Sequence, residues 1–243
     1  GNYAAALLST DPKQVFVPVC DGAREDQIYN DYIPFMANLF PDSYWVFLNE
    51  LMKEKEDRSP SGLFTLMPLC KDKELKPKKV PYFILMENNG IASSLRKHED
   101  EYIKILVMGN SRNAGHNHEE VGSFVLEWAG ETYAMDPGMT YYSDPASACY
   151  KYCQYHNMLL PYGVTGTQRI HPLEKYEKSA IAPKGSGDRK KLSVSINPTP
   201  TWDAYYKKWK RHFESAVPGK LTITDKYELM DGLGIEFVWN TKL

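Results

Sequence analysis

Several features that would direct the interpretation of a sequence are missing from this one. No run approaches the roughly 18 apolar residues of a membrane-spanning helix, so we expect no membrane span. The N-terminus also lacks the basic region and apolar run that characterise a signal peptide. Gly1 stands where an initiating Met would stand, so we expect the chain to be a piece of a longer protein.

A strong excess of one charge is lacking as well. Lys and Arg total 29 against 31 Asp and Glu, which gives a formal net charge of −2 and a pI near 6.3. A chain with this balance has no global attraction for nucleic acid or for an acidic membrane surface, so we expect neither as a partner. Positive charge that binds an anionic ligand would have to be concentrated in a local cleft.

Cysteine is scarce and forms no recognisable framework. The four cysteines are Cys20, Cys70, Cys149 and Cys153, and the C-x3-C spacing of the last pair is neither a zinc ribbon nor a disulfide scaffold. We expect Cys149 and Cys153 to be helix-spaced buried thiols rather than metal ligands.

The N-terminal part of the chain has helical patterns. Tyr29–Phe40 is predicted to be helical with a break near Ile33, because Pro34 fits only the first turn of a helix. Tyr44–Lys55 is predicted to be a second helix, with Asp42 or Ser43 as its cap. Charged connectors follow, and we expect a helical segment over residues 1–65 and a β domain over residues 80–243.

The pattern beyond residue 80 changes to the period of two that is typical of strands. Asn89-Gly90 predicts a hairpin turn, Trp209–Val217 is ambiguous between helix and strand, and Ala182–Lys191 is predicted to be a loop. Short strands with turns between them favour a mainly β fold, an antiparallel sandwich or barrel behind a short N-terminal helical segment. The predicted strands are Tyr82–Met86, Tyr102–Met108, Ser123–Trp128, Glu131–Met135, Leu192–Ile196, Leu221–Thr224 and Ile235–Trp239.

Metal-binding residue types are concentrated between residues 116 and 156. His116 and His118 would share one face if this segment is a strand, as the strand-like sequence after it suggests. Asp136 opens an Asp-Pro-Gly turn at a predicted strand end, and His156 follows later. Two or three His with one carboxylate form a ligand set that Zn²⁺ accepts, although each piece alone is a weak signal.

The order of these pieces resembles the C-terminal β-sandwich of the heparinase II/III-like polysaccharide lyases, which include oligoalginate lyases. The family pattern is H-x-H-x-D, a Ser-Phe strand, a Gly turn, Asp-Pro-Gly, Tyr and His-Asn. The resemblance is strong over residues 105–163 and weaker from about 80 to the C-terminus, and the N-terminal helices are similar to the tail of the family's helical toroid. This chain has His116-Asn117-His118-Glu119-Glu120, Ser123-Phe124, Gly130, Asp136-Pro137-Gly138, Tyr141 or Tyr142, and His156-Asn157.

The resemblance implies a structural zinc held by His118, Asp136 and His156, with His116 facing the substrate cleft as the catalytic side chain. It implies cleavage of an anionic, uronate-containing polysaccharide, such as a glycosaminoglycan or alginate, by β-elimination. It also implies a periplasmic or secreted protein, acting with the rest of a longer chain or as a homodimer. Substrate contacts are predicted for three polar residues beside the His pair, Arg112, Asn113 and Asn117.

Two departures from the family pattern leave alternatives open. Glu120 stands where the family has Asp, and the family's catalytic Tyr and a further His lie in the toroid, most of which this chain does not contain. A non-catalytic, zinc-stabilised carbohydrate-binding sandwich is therefore the second hypothesis. A cupin-like metalloenzyme is the third and is disfavoured, because the cupin motif requires a Glu where this chain has Gly122 and Ser123.

Overall fold

The computed structural model describes residues 2–11, 14–22, 32–55, 74–110, 116–162, 180–230 and 234–241. The chain divides into two compact units, one formed by Gly1–Ala5 with Gln27–Pro81 and the other by Ala6–Asp26 with Tyr82–Leu243. Each unit is described by itself below. No described helix is long and apolar enough to cross a bilayer.

The first unit contains the two longest described helices. α2 covers Tyr32–Leu39 and α3 covers Tyr44–Lys55, while the short α1, Asn2–Leu7, starts in this unit and ends in the other. Pro34 lies in the first turn of α2, as its missing N–H requires. Ser43 Oγ accepts a hydrogen bond from the backbone N–H of Trp45 at 3.2 Å, so the predicted cap of α3 is present. Two short strands, β1 (Asp42–Ser43) and β2 (Lys76–Pro77), pair in parallel.

The second unit begins with a five-stranded antiparallel sheet in the order β3-β4-β5-β6-β7. Its turn at Asn89-Gly90 is the predicted one, and Gly90 has φ 66°, a left-handed conformation that favours glycine. β4 is a strand that the sequence patterns did not predict. The strands are β3 (Phe83–Met86), β4 (Ile91–His98), β5 (Glu101–Met108), β6 (Phe124–Trp128) and β7 (Glu131–Ala134).

The other large sheet of this unit has four antiparallel strands in the order β12-β11-β10-β9. Trp209–Val217, which the sequence left ambiguous between helix and strand, belongs to the strand β11. Its side chains alternate between buried and exposed over most of this length. The predicted loop Ala182–Lys191 is wrong over Lys184–Gly187, which pairs with β10 through its backbone despite its glycines. A separate pair joins β8 to β13, and α4 (Ser147–Tyr150) precedes it. The bounds are β8 (Leu159–Pro161), β9 (Lys184–Gly187), β10 (Leu192–Ile196), β11 (Tyr206–Val217), β12 (Lys220–Leu229) and β13 (Ile235–Phe237).

One apolar core joins the two large sheets face to face. Ile105 and Phe124 from the first sheet pack in the same buried cluster as Val194 and Phe213 from the second. Phe124 and Phe213 meet edge to face, with ring centroids 5.5 Å apart. This arrangement of two antiparallel sheets confirms the predicted mainly β, antiparallel sandwich with a short N-terminal helical segment.

The opposite face of the five-stranded sheet is covered by residues 6–8 and 16–19. Leu7, Val17 and Val19 pack against Leu106 and other apolar residues of that face. Because this segment crosses the sheet, it delivers the residues that follow it to the end of β5, beside the loop that leads into β6.

Candidate metal centre

The segment that carries the His pair is a loop rather than the predicted strand. Regular pairing starts at Phe124, and a turn before it is closed by a hydrogen bond from Ser123 N to Glu120 O at 2.7 Å. Gly122 within this turn has φ 98°, and a Cβ there would lie 2.9 Å from Pro198 Cγ. The strand prediction for His116 and His118 is therefore wrong, because a tight glycine turn interrupts the period-two pattern.

Four buried side chains meet beside this loop. His118, Glu120, Asp136 and His156 each offer one ligand atom, and these atoms lie within 4.8 Å of one another. His156 Nδ1 is 3.0 Å from Asp136 Oδ2 and 3.8 Å from Glu120 Oε2. The cluster contains the three predicted ligands and adds Glu120, which the sequence patterns did not assign as a ligand.

The hydrogen bonding of the cluster is incomplete. Among the described residues, His118 Nδ1 and Glu120 Oε2 are buried and have no hydrogen-bond partner. Leaving one such group unsatisfied costs about 1–3 kcal/mol, and more when the group is charged. Two imidazoles and two carboxylates are a donor set that Zn²⁺ binds at four positions, so the cluster could hold a metal ion.

The electrostatics of the cluster favour a cation as well. Burial, and then the charge of Asp136, raises the pKa of Glu120 to about 7. Burial lowers the pKa of His118 and of His156, so both rings are held in the neutral form that binds metals. Two acidic groups beside two neutral imidazoles lack positive charge, and a divalent cation would supply it.

Glu120 is held in place through its other oxygen. Oε1 accepts hydrogen bonds from the Cys20 thiol at 3.0 Å and from Asn110 Nδ2 at 2.5 Å. Burial, and then the negative charge of Glu120, raises the pKa of Cys20, which keeps the thiol protonated as a donor. Oε2 is left facing His156 and the rest of the cluster. Cys20 and Asn110 therefore position a carboxylate oxygen for the metal centre.

The Asp-Pro-Gly turn positions Asp136. Gly138 N donates to Asp136 Oδ1 at 2.9 Å, while Oδ2 faces His156. Gly138 has φ 55°, and a Cβ there would lie 2.3 Å from the carbonyl oxygen of Gly22. That carbonyl accepts a hydrogen bond from Met139 N at 3.0 Å. The glycine therefore allows residues 20–22 to lie directly against the turn.

The side chain of Asn157, the residue after His156, hydrogen-bonds to the backbone of three segments around it. Asn157 Nδ2 donates to the carbonyl oxygens of Phe124 at 2.8 Å and Met135 at 3.0 Å, and Oδ1 accepts from Asn240 N at 2.8 Å. The side chain thus links the start of β6, the residue before Asp136 and the C-terminal segment. The His-Asn pair combines one candidate ligand with the amide that fixes its neighbours.

His116 faces solvent and is linked to the metal centre through Asp21. The His116 side chain is 73% exposed, and its Nδ1 contacts Asp21 Oδ2 and the Tyr142 hydroxyl, the latter at 2.9 Å. Asp21 Oδ1 lies 3.2 Å from His118 Nε2. Burial acts to raise the pKa of Asp21, but hydrogen bonds from Tyr142, His116 and His118 together lower it below its usual value. The carboxylate therefore orients an exposed imidazole and a candidate ligand at once.

The predicted substrate contacts have different positions. Arg112 and Asn113 lie outside the described residues. Asn117 is turned inward, with Oδ1 3.8 Å from Cys20 Sγ and its Nδ2 buried without a partner among the described residues. Its role in substrate binding stays a prediction.

The cysteine predictions are half right. Cys153 is buried, as predicted, but Cys149 is exposed, because its side of the short α4 faces solvent. Cys20, Asp21 and Asn110 were not identified from the sequence. Cys20 and Asp21 lie in an irregular segment almost 100 residues before the His pair, and Asn110 follows β5 outside any motif, so no local spacing marks them.

Comparison with solved structures identifies the fold. A heparan sulfate lyase HepC mutant from Pedobacter heparinus matches with a TM-score of 0.61 and 12% identity over 92% of this chain and 30% of its own. A heparinase III matches with a TM-score of 0.60 and 15% identity over 93% of this chain and 32% of its own. Identities this low show the fold alone, and the chain spans about a third of the length of these lyases. No family model and no curated protein matches the sequence.

Proposed function

We propose that the chain is the β-sandwich part of a polysaccharide lyase that cleaves a uronate-containing polysaccharide by β-elimination. The observation that carries the proposal is the convergence of His118, Asp136 and His156 on one buried centre, in a fold shared with heparan sulfate lyase and heparinase III. Both neighbours act, by their names, on heparin-like polysaccharides. The proposed substrate class includes heparin-like chains, alginate and other uronate-containing polysaccharides. A periplasmic or secreted location is part of the same proposal.

Zinc at this centre is proposed to be structural. His118, Glu120, Asp136 and His156 would supply four protein ligands, which is the closed coordination of structural zinc sites. Bound there, the ion would neutralise the two carboxylates and connect the loop before β6, the turn after β7 and the segment before β8. The chemistry of cleavage would be carried by the side chains outside this centre.

His116 is the proposed catalytic side chain. In β-elimination a base removes the proton on the carbon next to the uronate carboxylate, a carbon–carbon double bond forms, and the glycosidic oxygen departs with a proton. An exposed imidazole held by Asp21 and beside the Tyr142 hydroxyl can neutralise that carboxylate or accept the proton. Further catalytic groups would come from the remainder of a longer chain, in keeping with the share of the lyases that this chain spans.

The test separates the metal from the chemistry. Zinc content by elemental analysis should be about one per chain and should fall with His118→Ala or Asp136→Ala. Formation of unsaturated uronate, followed by ultraviolet absorbance, should fall with His116→Asn while zinc is retained. Asn is the better replacement because His116 has φ 66°, a left-handed conformation that Asn tolerates.

A non-catalytic, zinc-stabilised carbohydrate-binding sandwich is the second candidate. It is favoured by the closed set of four protein ligands, which would leave no open coordination position on the ion for a substrate. A wild-type chain that binds uronate oligosaccharide and zinc, yet releases no unsaturated product, would support this candidate over the lyase.

A further inference from the structure

A concave surface on the four-stranded sheet carries concentrated positive charge. It encloses about 640 Å³ on the face of β9–β12 that points away from the sandwich core. The charged and polar residues that line it include Lys184, Ser195, Asn197, Lys210, His212 and Lys226, and this surface is called the basic cleft. None of the described residues that line it is acidic.

Strand register brings these side chains together. Ser195 lies opposite Lys184 on one side and His212 on the other, and His212 lies opposite Thr224. Ser195 Oγ and His212 Nδ1 are 2.7 Å apart. Because neighbouring strands are about 4.8 Å apart, the row crosses roughly 14 Å of sheet. This is the span of a short oligosaccharide rather than of a single small anion.

The lysines of the basic cleft lie close together and have no neutralising carboxylate in the described part of the chain. Lys210 and Lys226 are direct cross-strand neighbours, an arrangement of like charges that destabilises a sheet. Among the described residues, neither lysine nor Lys184 has a carboxylate within ion-pair distance. The nearby Asp225 is directed to the opposite face, where it pairs with Arg211. A surface that keeps such repulsion without compensation is suited to an anionic ligand.

The basic cleft is separate from the metal centre. β11 lies between them: Arg211 also lines the cleft, but its side chain is fully buried and donates to Gly122 O and Asn157 O beside the metal loops. Asp21 and Tyr142, the two residues that contact His116, do not line the cleft. A ligand in the cleft would therefore bind without touching the proposed catalytic side chain.

We propose that the basic cleft is a second, non-catalytic binding site for an acidic oligosaccharide. Three ammonium groups would bind carboxylate or sulfate groups, while Ser195, Thr224 and Asn197 offer hydrogen bonds to sugar hydroxyls. The mixture of charged and neutral donors suits a ligand that alternates anionic groups and hydroxyls. The choice of a sugar acid rests on the proposed function, whereas the anionic character of the ligand rests on the cleft itself.

The test uses the full chain carrying Lys210→Gln and Lys226→Gln together. Calorimetric titration at low salt would use three probes of similar length: a sulfated heparin oligosaccharide, an unsulfated alginate oligosaccharide and a neutral maltooligosaccharide. We expect affinity for the acidic sugars to fall about tenfold, which is the loss that removing two solvent-exposed ammonium groups from a charged contact would give. The two acidic probes distinguish sulfate from carboxylate recognition, and the neutral probe should bind neither form.

The matched control removes two other exposed lysines of the same strands, Lys208 and Lys220, as Gln. It has the same net charge as the test variant and should keep affinity within about twofold, because neither residue lines the cleft. Circular dichroism and zinc content should match the wild type for both variants, since all four lysines are exposed.

The outcomes separate this inference from the proposed function. Acidic-sugar binding that persists in His116→Asn but falls in the Lys210/Lys226 variant supports a second site, even if the wild-type chain shows no lyase activity. Equal affinity of wild type and the Lys210/Lys226 variant overturns the inference. Tighter binding of a single-stranded oligonucleotide than of either acidic sugar would overturn the assignment of the ligand.

Discussion

Two buried polar clusters lie within a few residues of each other and differ in how their hydrogen bonds are completed. At Arg211, the guanidinium donates to both carboxylate oxygens of Asp225, at 2.8 and 3.0 Å, and to the carbonyls of Gly122 and Asn157. It also lies over the Trp209 ring, 5.2 Å from its centroid. The charges of Arg211 and Asp225 cancel, and protein groups alone complete the hydrogen bonds of the guanidinium.

The metal centre has the same kind of burial but the opposite balance. Its acceptors outnumber its donors, and His118 Nδ1 and Glu120 Oε2 have no partner among the described residues. The contrast teaches that burial of polar groups does not identify a site. What identifies one is a buried cluster whose charge and hydrogen bonds the protein leaves incomplete.

Breaking the metal centre should have the largest effect. His118→Ala removes a ligand, and we expect zinc to be lost and the free energy of unfolding to fall by about 5 kcal/mol or more, because structural zinc sites contribute up to roughly 10–16 kcal/mol. Elemental analysis and thermal unfolding with and without chelator measure this. The matched control His212→Ala removes a half-buried histidine of the other large sheet, which is not part of the cluster, and should retain the ion. A His118→Ala chain with full zinc would remove His118 from the ligand set.

Breaking the Arg211 cluster should have the next largest effect. Arg211→Met leaves Asp225 without its cationic partner, with only the Trp209 indole donating to it, and leaves two buried carbonyls without a donor, so we expect a loss of about 3–5 kcal/mol in urea unfolding. The double variant Arg211→Met/Asp225→Leu should lose less, because it leaves no uncompensated carboxylate. If the double variant is as unstable as the single one, the ion pair is not the source of the loss.

Removing the thiol that holds Glu120 should have a smaller effect. Cys20→Ala leaves the carboxylate but removes one of its two hydrogen bonds at Oε1, so we expect zinc affinity to fall about 10–100-fold without loss of the site. Competition with a coloured chelator measures the affinity. Cys149→Ala is the control, since that thiol is exposed and distant in the sequence from Glu120. Unchanged affinity in Cys20→Ala would show that Asn110 alone positions Glu120.

The smallest effect concerns a third buried cluster, around Lys104. Its ammonium donates to Ser93 Oγ at 2.8 Å and to the carbonyl of Ala6, and burial lowers its pKa to about 7, opposed by the charge of Glu127. In the unfolded chain the pKa of a lysine is near 10.4, so between about pH 7 and pH 10 the unfolded chain binds more protons at Lys104 than the folded chain does. The free energy of unfolding should therefore rise with pH in this range. The cost of charging Lys104 is fully present below about pH 7.

We expect a rise of at most about 1.4 kcal/mol in unfolding free energy between pH 7 and pH 8, and its loss in Lys104→Met. Urea unfolding at the two pH values measures both. Lys97→Met, which changes an exposed lysine of β4, should keep the rise. The same slope in Lys104→Met as in wild type would assign the pH dependence to another group.

The sequence patterns anticipated most of the strands and both longer helices, and their failures have specific causes. β4 was missed because Ser93, Ser94 and Arg96 are buried polar residues that hide its apolar alternation. β9 was missed because Lys-Gly-Ser-Gly has the composition of a loop, and its pairing with β10 decides its conformation. Local patterns fail where backbone pairing from elsewhere sets the structure.

The same limit applies to the candidate site. His118, Asp136 and His156 were singled out because each belongs to a short motif, and the structure brings them together. Glu120 was set aside because it is one methylene longer than the Asp of the similar family, and only the structure places its oxygen beside His156. Cys20 and Asp21 could not be found, since they reach the centre through the packing of Val17 and Val19 on the five-stranded sheet rather than through any pattern of their own.

The docking of Gly22 against Gly138 has a consequence for the order of folding. The β11–β12 hairpin closes through a turn of two residues, whereas Cys20 and Glu120 are 100 positions apart in the chain. Closing the longer loop costs more chain entropy and occurs later in a typical folding reaction. We therefore expect hydrogen exchange to protect the hairpin early and residues 20–22 last. When the full-length chain refolds, metal loading would therefore follow the hairpin, because the centre needs residues 20–22 to reach Glu120 across the longer loop.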